Sequence, residues 1–389
     1  MVIPPPFLRV RVASLVLVGT TVLTDLAAAA RPDPLFDRPT VLQVALTLDP
    51  AAKASLESDP RAWVRASGRV DGREFPRLSV RLKGTTSFMK LGEKPSFTVD
   101  FARDGADGDL AGHRRIHLNN SAQDSSYLCD AIASELFREA GVPVARTAWA
   151  VVVLDGRSLG LFVVKEALDD AFLDRWFGRH DGNFYEGGLH QEIDGPLRLD
   201  SGKGAKERED LKALMAAATE GEPAGRWDVL GRRLDFVRHV SMLAAETLSV
   251  HLDGYSAMHN NYRIHVDPRD GRAVFVVHGL DRMWEQPEWP VPIEPAAAVS
   301  RSVAATPEGR ARVLERIREL MRGPFADDRI RSTVSNLVAV LASHEPLVVP
   351  QAAELERRIL RRTEFVRRRI RALEEAAGAG KAGASGTPR

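Results

Sequence analysis

The sequence predicts an α+β fold with two lobes: a β-rich N-terminal part and a mainly helical C-terminal part. Three observations predict it. Up to Val164 the apolar residues fall mostly in short alternating runs bounded by Gly, Pro and Asp, the pattern of half-buried strands. From Leu234 onward they recur at helical spacing over long stretches, interrupted by one strand–turn–strand. The chain is also long and ordinary in composition, with 389 residues, 44% hydrophobic, 28% charged and one cysteine. A core of that size forms without disulfide staples or a Cys-rich zinc module. The formal charge of +1 excludes a bulk polycation, so nucleic acid is not an expected partner.

In chain order, Arg9 and Arg11 precede an apolar run from Val12 to Leu23 and a small-residue exit at Ala27 to Ala30. This is the layout of a secretory signal, so residues 1–30 are expected to direct export to the periplasm, cell surface or exterior. No later run is long enough to span a bilayer. Residues 31–77 form a first β-rich segment, with a strand from Thr40 to Leu48. Leu78 to Leu82 and Ser96 to Phe101 read as strands flanking a polar tip, Lys83-Gly84-Thr85-Thr86-Ser87. Asp124 is placed to cap a helix carrying Leu128, Ile132 and Leu136, with Gly141 and Pro143 ending it and Cys129 buried in it. Ala148 to Leu154 and Leu159 to Val164 form a hairpin around Asp155-Gly156 and deliver Lys165 and Glu166 at its end. Asp169 caps a short helix around Phe172 and Trp176.

The stretch from Ser201 to Gly225 is Gly-, Ala- and charge-rich and reads as a linker or surface insertion. Leu234 to Val250 is helical, with Val237, Val240, Leu243, Ala244 and Leu248 on one stripe. Asn261 to Val266 and Ala273 to Val277 make a second hairpin, followed by a Pro-rich loop from Trp284 to Pro295. Helices then cover Glu308 to Met321, Asp327 to Ser343 and Gln351 to Ala376, and residues 377–389 read as a disordered tail. The arginines of the last helix are interspersed with glutamates, which suits a solvated face better than a lipid or nucleic-acid surface.

The stretch that carries chemistry runs from His251 to Tyr262. A buried-type helix ends, Asp253 follows in the loop, Asn261 opens a strand, and the hairpin returns through Gly279 to Asp281. Because a hairpin brings its ends together, Asn261 and Asp281 can share a cation. Phosphoryl transfer needs such a set: one carboxylate at the attacking hydroxyl, and a second with an amide oxygen holding Mg²⁺ on the phosphates. Lys83 in the tip, and Lys94 just beyond it partnered by Glu166, are candidate phosphate and nucleotide ligands.

Five segments in this order resemble the CotH family of atypical, spore-coat-type protein kinases. They are Arg81 to Ser87 with Lys94-Pro95-Ser96-Phe97; Ser134 to Pro143; Gly160 to Leu173; Gly182 to Gly187; and Asp253 through Asn261-Tyr262 to Gly279-Leu280-Asp281. The resemblance covers Leu78 to Trp284 and extends more loosely to Glu375, giving a kinase-like domain over residues 78–376. It implies a kinase-like fold that uses ATP and Mg²⁺ to phosphorylate Ser/Thr side chains of a protein, such as a Ser/Thr-rich surface or coat protein. In that reading Asp253 is the catalytic aspartate, Asp281 the metal aspartate with Asn261 as companion, and Lys83, Lys94 and Glu166 serve the nucleotide. The chain is expected to act as a monomer.

Two other readings compete. An exported kinase meets little ATP, so a non-catalytic binding or structural module is one alternative. His251, His259, His265 and His278 flank the two aspartates, so a zinc- or iron-dependent hydrolase is another.

Overall fold

Seven strands of the first half close into a barrel. They are β1 (Val41–Thr47), β2 (Val64–Val70), β3 (Arg73–Lys83), β4 (Ser96–Asp100), β5 (Arg115–Asn119), β6 (Thr147–Leu154) and β7 (Arg157–Glu166), arranged β1-β2-β3-β4-β5-β7-β6. Neighbours run antiparallel except at the seam, where β1 meets β6 in parallel with Val41 opposite Trp149 and Leu46 opposite Leu154. Closure removes the exposed edges that an open sheet would present. Successive side chains alternate faces. Leu42, Val44, Val80, Leu82, Phe97 and Val99 fill the interior together with Ile116, Leu118, Phe162 and Val164. The structure is a computed structural model that describes residues 33–384 except residue 107, with backbone alone for 223, 224 and 377–384. The expected signal segment lies outside the described residues.

Local signals explain the connections. Helix α1 (Pro50–Ser58) joins β1 to β2, and its N-cap Asp49 accepts from the Ala52 N–H at 2.7 Å. The β6–β7 turn places Asp155 at φ 51° and Gly156 at φ 79°. Two positive φ values in succession match the twist of the strands they join. Helix α2 (Cys129–Glu139) follows β5. The expected capping residue Asp124 does bond its first amide: Oδ2 accepts from the Cys129 N–H at 2.9 Å, five residues upstream of the helix.

The outer face of β6 and β7 is apolar because α2 covers it. Trp149, Leu161 and Val163 belong to one continuous core with Leu128, Ile132, Leu136 and Phe137 of the α2 region and with the helices that follow. Those are α4 (Glu209–Thr219), α5 (Pro223–Gly231), α6 (Phe236–Ser249), α7 (Tyr255–Met258), α8 (Ala298–Ala305), α9 (Pro307–Arg322), α10 (Asp327–Leu341) and α11 (Val348–Ala384), whereas α3 (Asp170–Phe177) buries Phe172, Leu173 and Phe177 in a small cluster of its own with Phe184, Val274 and Val276. A second sheet of order β11-β10-β8-β9 is embedded among them, from β8 (Asn183–Glu186), β9 (Arg198–Ser201), β10 (Tyr262–Val266) and β11 (Ala273–Val277). Helix α6 is the hub, buried at every residue from His239 to Ser249, as a helix in the middle of a core must be.

The structure departs from expectation in several places. The β-rich and helical halves are present, and from Pro34 onward the described residues form one compact unit. The shared core across β6, β7 and α2 is the reason. Part of the expected linker from Ser201 to Gly225 is helix α4, which buries Leu211, Leu214, Ala217 and Ala218. Its alanines read as low complexity, yet they let the helix pack closely. Val237 lies off the buried stripe at 66% exposed. Strand β2 carries a weak apolar signal, since only Val64 and Val70 at its ends are buried and Ala66 and Gly68 fill the positions between them. Helix α11 runs on to Ala384, beyond the Ala376 where a tail was expected.

Candidate functional site

The polypeptide leaving α6 makes a tight reversal. Val250 ends the helix at φ 56° and ψ 50°, a left-handed conformation that a β-branched residue adopts only under constraint. Asp253 follows, then Gly254 and the short helix α7. At the other end of that turn Asn261 also takes a positive φ of 47°, which asparagine tolerates. The two asparagines grip the aspartate: Asn260 Nδ2 donates to Asp253 Oδ1 and Asn261 Nδ2 to Oδ2, each at 2.8 Å. A carboxylate that accepts from two amides is held in one orientation.

The β10–β11 hairpin then brings its far end back. His278 N–H donates to the Asn261 carbonyl at 3.2 Å. A Cβ on Gly279, which sits at φ +69°, would lie 2.5 Å from the Asn261 amide carbon. The Asn261 amide therefore rests on Gly279, two residues before Asp281, and the predicted trio Asp253, Asn261 and Asp281 is brought together. Asp281 is half-buried, and its carboxyl is pushed up by burial first and by the neighbouring Asp130 second, with Lys165 and Lys83 working against them.

The opposing wall is the outer face of the barrel. Arg81, Thr98, His117 and Lys165 lie in cross-strand register, and Lys83, Ser96 and Asn119 form the next row. These residues alternate with the apolar ones that fill the barrel, so the pleat itself creates a polar, cationic face. Lys165 Nζ pairs with Asp130 Oδ1 of α2 at 2.6 Å, the lysine side chain 12% exposed and the aspartate 3%. Burial alone would lower the Lys165 pKa, but Asp130 and Asp281 more than offset it and the net shift is upward. Lys83 Nζ donates to Asn119 Oδ1 at 2.5 Å. Burial, then repulsion from Lys165, pushes its pKa down to about 8, with Asp130 and Asp281 opposing.

Two predicted residues are elsewhere. Glu166 and Lys94 do not meet. Glu166 is one residue past Lys165 and so points to the opposite face, in step with Phe162 and Val164. There it is 2% exposed and paired to Arg146 at 2.8 Å and Arg175 at 2.5 Å. Lys94 donates to the Tyr127 hydroxyl at 2.8 Å and lies 5.0 Å from the Tyr127 and Phe162 ring centres. An acid–lysine pair nearer Asp281 is Asp130–Lys165. Lys165 was visible as the end of a strand, but Asp130 is thirty-five positions away on a helix, and no local pattern links them. The Lys83–Ser87 tip is partly occupied by the protein itself: Arg61 donates to the Gly84 carbonyl and Asn120 to that of Ser87.

A polar cavity of about 170 Å³ opens beside Asp281, bounded also by Asp124, Ser126, Cys129, Arg282 and Arg358. Cys129 is 3% exposed, and burial pushes its thiol up, so it stays a thiol. A larger cavity of about 460 Å³ lies on another face of α2, lined by Ala131, Ser134 and Arg138 among others, and contains none of the predicted site residues. The four candidate histidines go to separate surroundings. His251 lies beside Glu246 at 3.8 Å, His259 beside Glu192 at 3.3 Å, His265 stacks on Phe177 at 3.9 Å, and His278 is buried under the cationic face. Among the described residues no three His, Cys, Asp or Glu side chains converge to hold a metal. Asp281, whose carboxyl is raised by burial and by the neighbouring Asp130, is a donor that a hard divalent cation would relieve. One or two carboxylates completed by substrate phosphates is the usual way magnesium is held.

The family model described as CotH kinase protein matches residues 80–373. The chain belongs to the CotH kinase family. That span includes Asp253, Asn261 and Asp281 as well as Lys165 and Asp130. Among solved structures, the chain is similar to the Helicobacter pylori proinflammatory kinase CtkA at 11% identity and a TM-score of 0.35, over 72% of this chain and 95% of that one. No curated protein matches the sequence. Among the described residues no helix is long and apolar enough to cross a membrane.

Proposed function

We propose that this CotH kinase family member transfers the γ-phosphoryl group of ATP to a Ser or Thr hydroxyl of a protein substrate, with Mg²⁺ as cofactor. The observation that carries the reading is the Asp253 carboxylate, clamped by Asn260 and Asn261 and tied through Gly279 to the loop bearing Asp281. Asp253 accepts the proton of the attacking hydroxyl as its oxygen bonds to the γ-phosphorus and the bond to the β-phosphate oxygen breaks, leaving ADP. Its two amide donors keep one oxygen lone pair aimed at the incoming hydroxyl and spare the carboxylate any reorganisation. Asp281 and the Asn261 amide oxygen are the groups that would hold Mg²⁺, which when bound neutralises charge on the phosphates. Lys165, fixed by Asp130, and Lys83 present positive charge to the same phosphates from the barrel wall. The signal-like N-terminus supports action outside the cytoplasm, on an extracellular or envelope protein.

The test is to incubate the purified chain with Mg-ATP and a Ser/Thr-rich protein and to read phosphate by mass spectrometry. Asp253→Ala should stop transfer while sparing magnesium-dependent nucleotide binding, and Asp281→Ala should abolish that binding. Full activity in both variants would remove the assignment. Binding or transfer absent from the unaltered chain would favour the non-catalytic module.

A further inference from the structure

Beneath the Asp253 loop lies a set of polar side chains that the proposed chemistry does not use. Glu246 of α6 is 0% exposed, as are His251, Ser256 of α7 and Ser300 of α8, and His239 is 2% exposed. They form a chain. His239 Nε2 and Ser300 Oγ are 3.0 Å apart, Ser300 Oγ and Ser256 Oγ 2.9 Å, and Ser256 faces the Glu246 carboxyl with both its backbone N–H and its hydroxyl. Glu246 Oε1 in turn lies 3.8 Å from His251 Nδ1. The catalytic loop rests directly on the last pair. A Cβ on Gly254 would lie 2.6 Å from His251 Nδ1 and 2.7 Å from Glu246 Oε1. Gly254 is the neighbour of Asp253, so the height of this polar pair sets where Asp253 stands.

Isolated buried charge in such a place is costly. Among the described residues no cation acts on Glu246. The charged groups that act on His251 are Asp253 in its own loop, Asp130 of α2 and Lys165 of β7. The arginines of the neighbouring helices are engaged elsewhere, Arg316 of α9 with Ser241 and Arg362 of α11 with the Thr247 carbonyl. From α2 and β11 the aromatic rings of Phe137 and Phe275 pack edge-on against His251 and His239.

We propose that Glu246 and His251, joined through Ser256 and Ser300 to His239, are a buried and uncharged positioning device for the Asp253 loop. Glu246 keeps its proton, so that carboxylic acid, imidazole and hydroxyls are a neutral polar cluster on which Gly254 is seated. Burial supports this from both sides, pushing the Glu246 carboxyl up to about 8 and the His251 imidazole down to about 4. Ionising Glu246 places an unpaired charge directly under Gly254 and loosens the loop. The role in catalysis rests on the reading of Asp253 above, but the order of the loop does not.

The experiment therefore reads the loop as well as transfer. Amide hydrogen exchange of residues 250–261, corrected for intrinsic rates, is followed between pH 6.5 and 9.5 in the unaltered chain, Glu246→Gln and Glu246→Leu. Glutamine reproduces the neutral acid's shape and donor. The expected result is loop protection that falls about tenfold through pH 8 in the unaltered chain, stays level in Glu246→Gln, and is lower at every pH in Glu246→Leu. If transfer is measurable, kcat of Glu246→Gln should stay within about twofold at pH 7 and lack the alkaline decline, with KM unmoved. Parallel pH profiles for the unaltered chain and Glu246→Gln overturn the proposal, and so does a loop already loosened at pH 7 in Glu246→Gln. An unaltered chain that shows the exchange pattern but transfers no phosphate overturns the kinase reading and leaves the device standing.

Discussion

At the scale of single residues, the site is decided by which face of a strand a side chain occupies. Lys165 and Glu166 are neighbours in sequence, yet one faces Asp130 and Asp281 and the other faces Arg146 and Arg175. Glu166 is thereby turned away from Lys94 towards two arginines, while Lys165 pairs with Asp130 on the face that carries Lys83. Lys165→Met leaves Asp130 buried without its partner, which costs roughly 3–5 kcal/mol. Lys94→Met gives up contacts with two rings and a hydroxyl, worth about 1 kcal/mol. Thermal unfolding should rank the two in that order. Magnesium-dependent nucleotide binding, measured well below both melting points, should be lost in Lys165→Met and kept in Lys94→Met. Equal binding by the two variants would return Lys94 to the site.

At the scale of elements, the β10–β11 hairpin is the device that assembles the site. Its register places Tyr262 opposite Val277 and so sets Asn261 against Gly279. Gly279→Ala meets two obstacles: φ +69° suits glycine, and the new methyl would collide with the Asn261 amide. Displacing that amide breaks its bond to Asp253, and a misplacement of about 1 Å in a catalytic group lowers kcat roughly 100-fold. The fold should survive, because the neighbouring strands keep their ladder. Steady-state kinetics together with an unchanged far-ultraviolet circular dichroism spectrum would check this. A wild-type kcat would show that Asn261 does not position Asp253. The hairpin was legible in the sequence because turn residues separate two apolar runs. Helix α4 was not, since its buried face is half alanine and a small side chain carries little periodic signal.

For the whole molecule, the core shared by barrel and helices has a thermodynamic consequence. Leu161 and Val163 belong to barrel strands, yet they pack into the helical core. Barrel and helices cannot part without exposing that surface, so calorimetry should show one transition for the unit beginning at Pro34. Leu161→Ala, which enlarges the seam, should lower that transition as a whole by about 2–5 kcal/mol. Two resolved transitions would mean the halves are separable after all. Acid and base act on this unit in opposite ways. Because Glu246 has a folded-state pKa near 8 against an ordinary value of 4.5, its stabilisation is complete below 4.5 and is lost as pH rises through 8. Against Glu246→Gln the unaltered chain should therefore lose melting temperature steadily over that window.

The sequence by itself determined the order of the chemistry: a buried helix, Asp253, Asn261, a hairpin and Asp281, within five segments that mark the CotH kinase family. Those features are local, and local spacing with turn chemistry is enough to read them. The tertiary structure alone decided that Asp130 meets Lys165 across thirty-five positions, and that Glu246 lies under the Asp253 loop. Each depends on closing the barrel and laying α2 and α6 against it. The buried surface that determines a side chain's facing, its neighbours and its charge is supplied by segments far away in the chain.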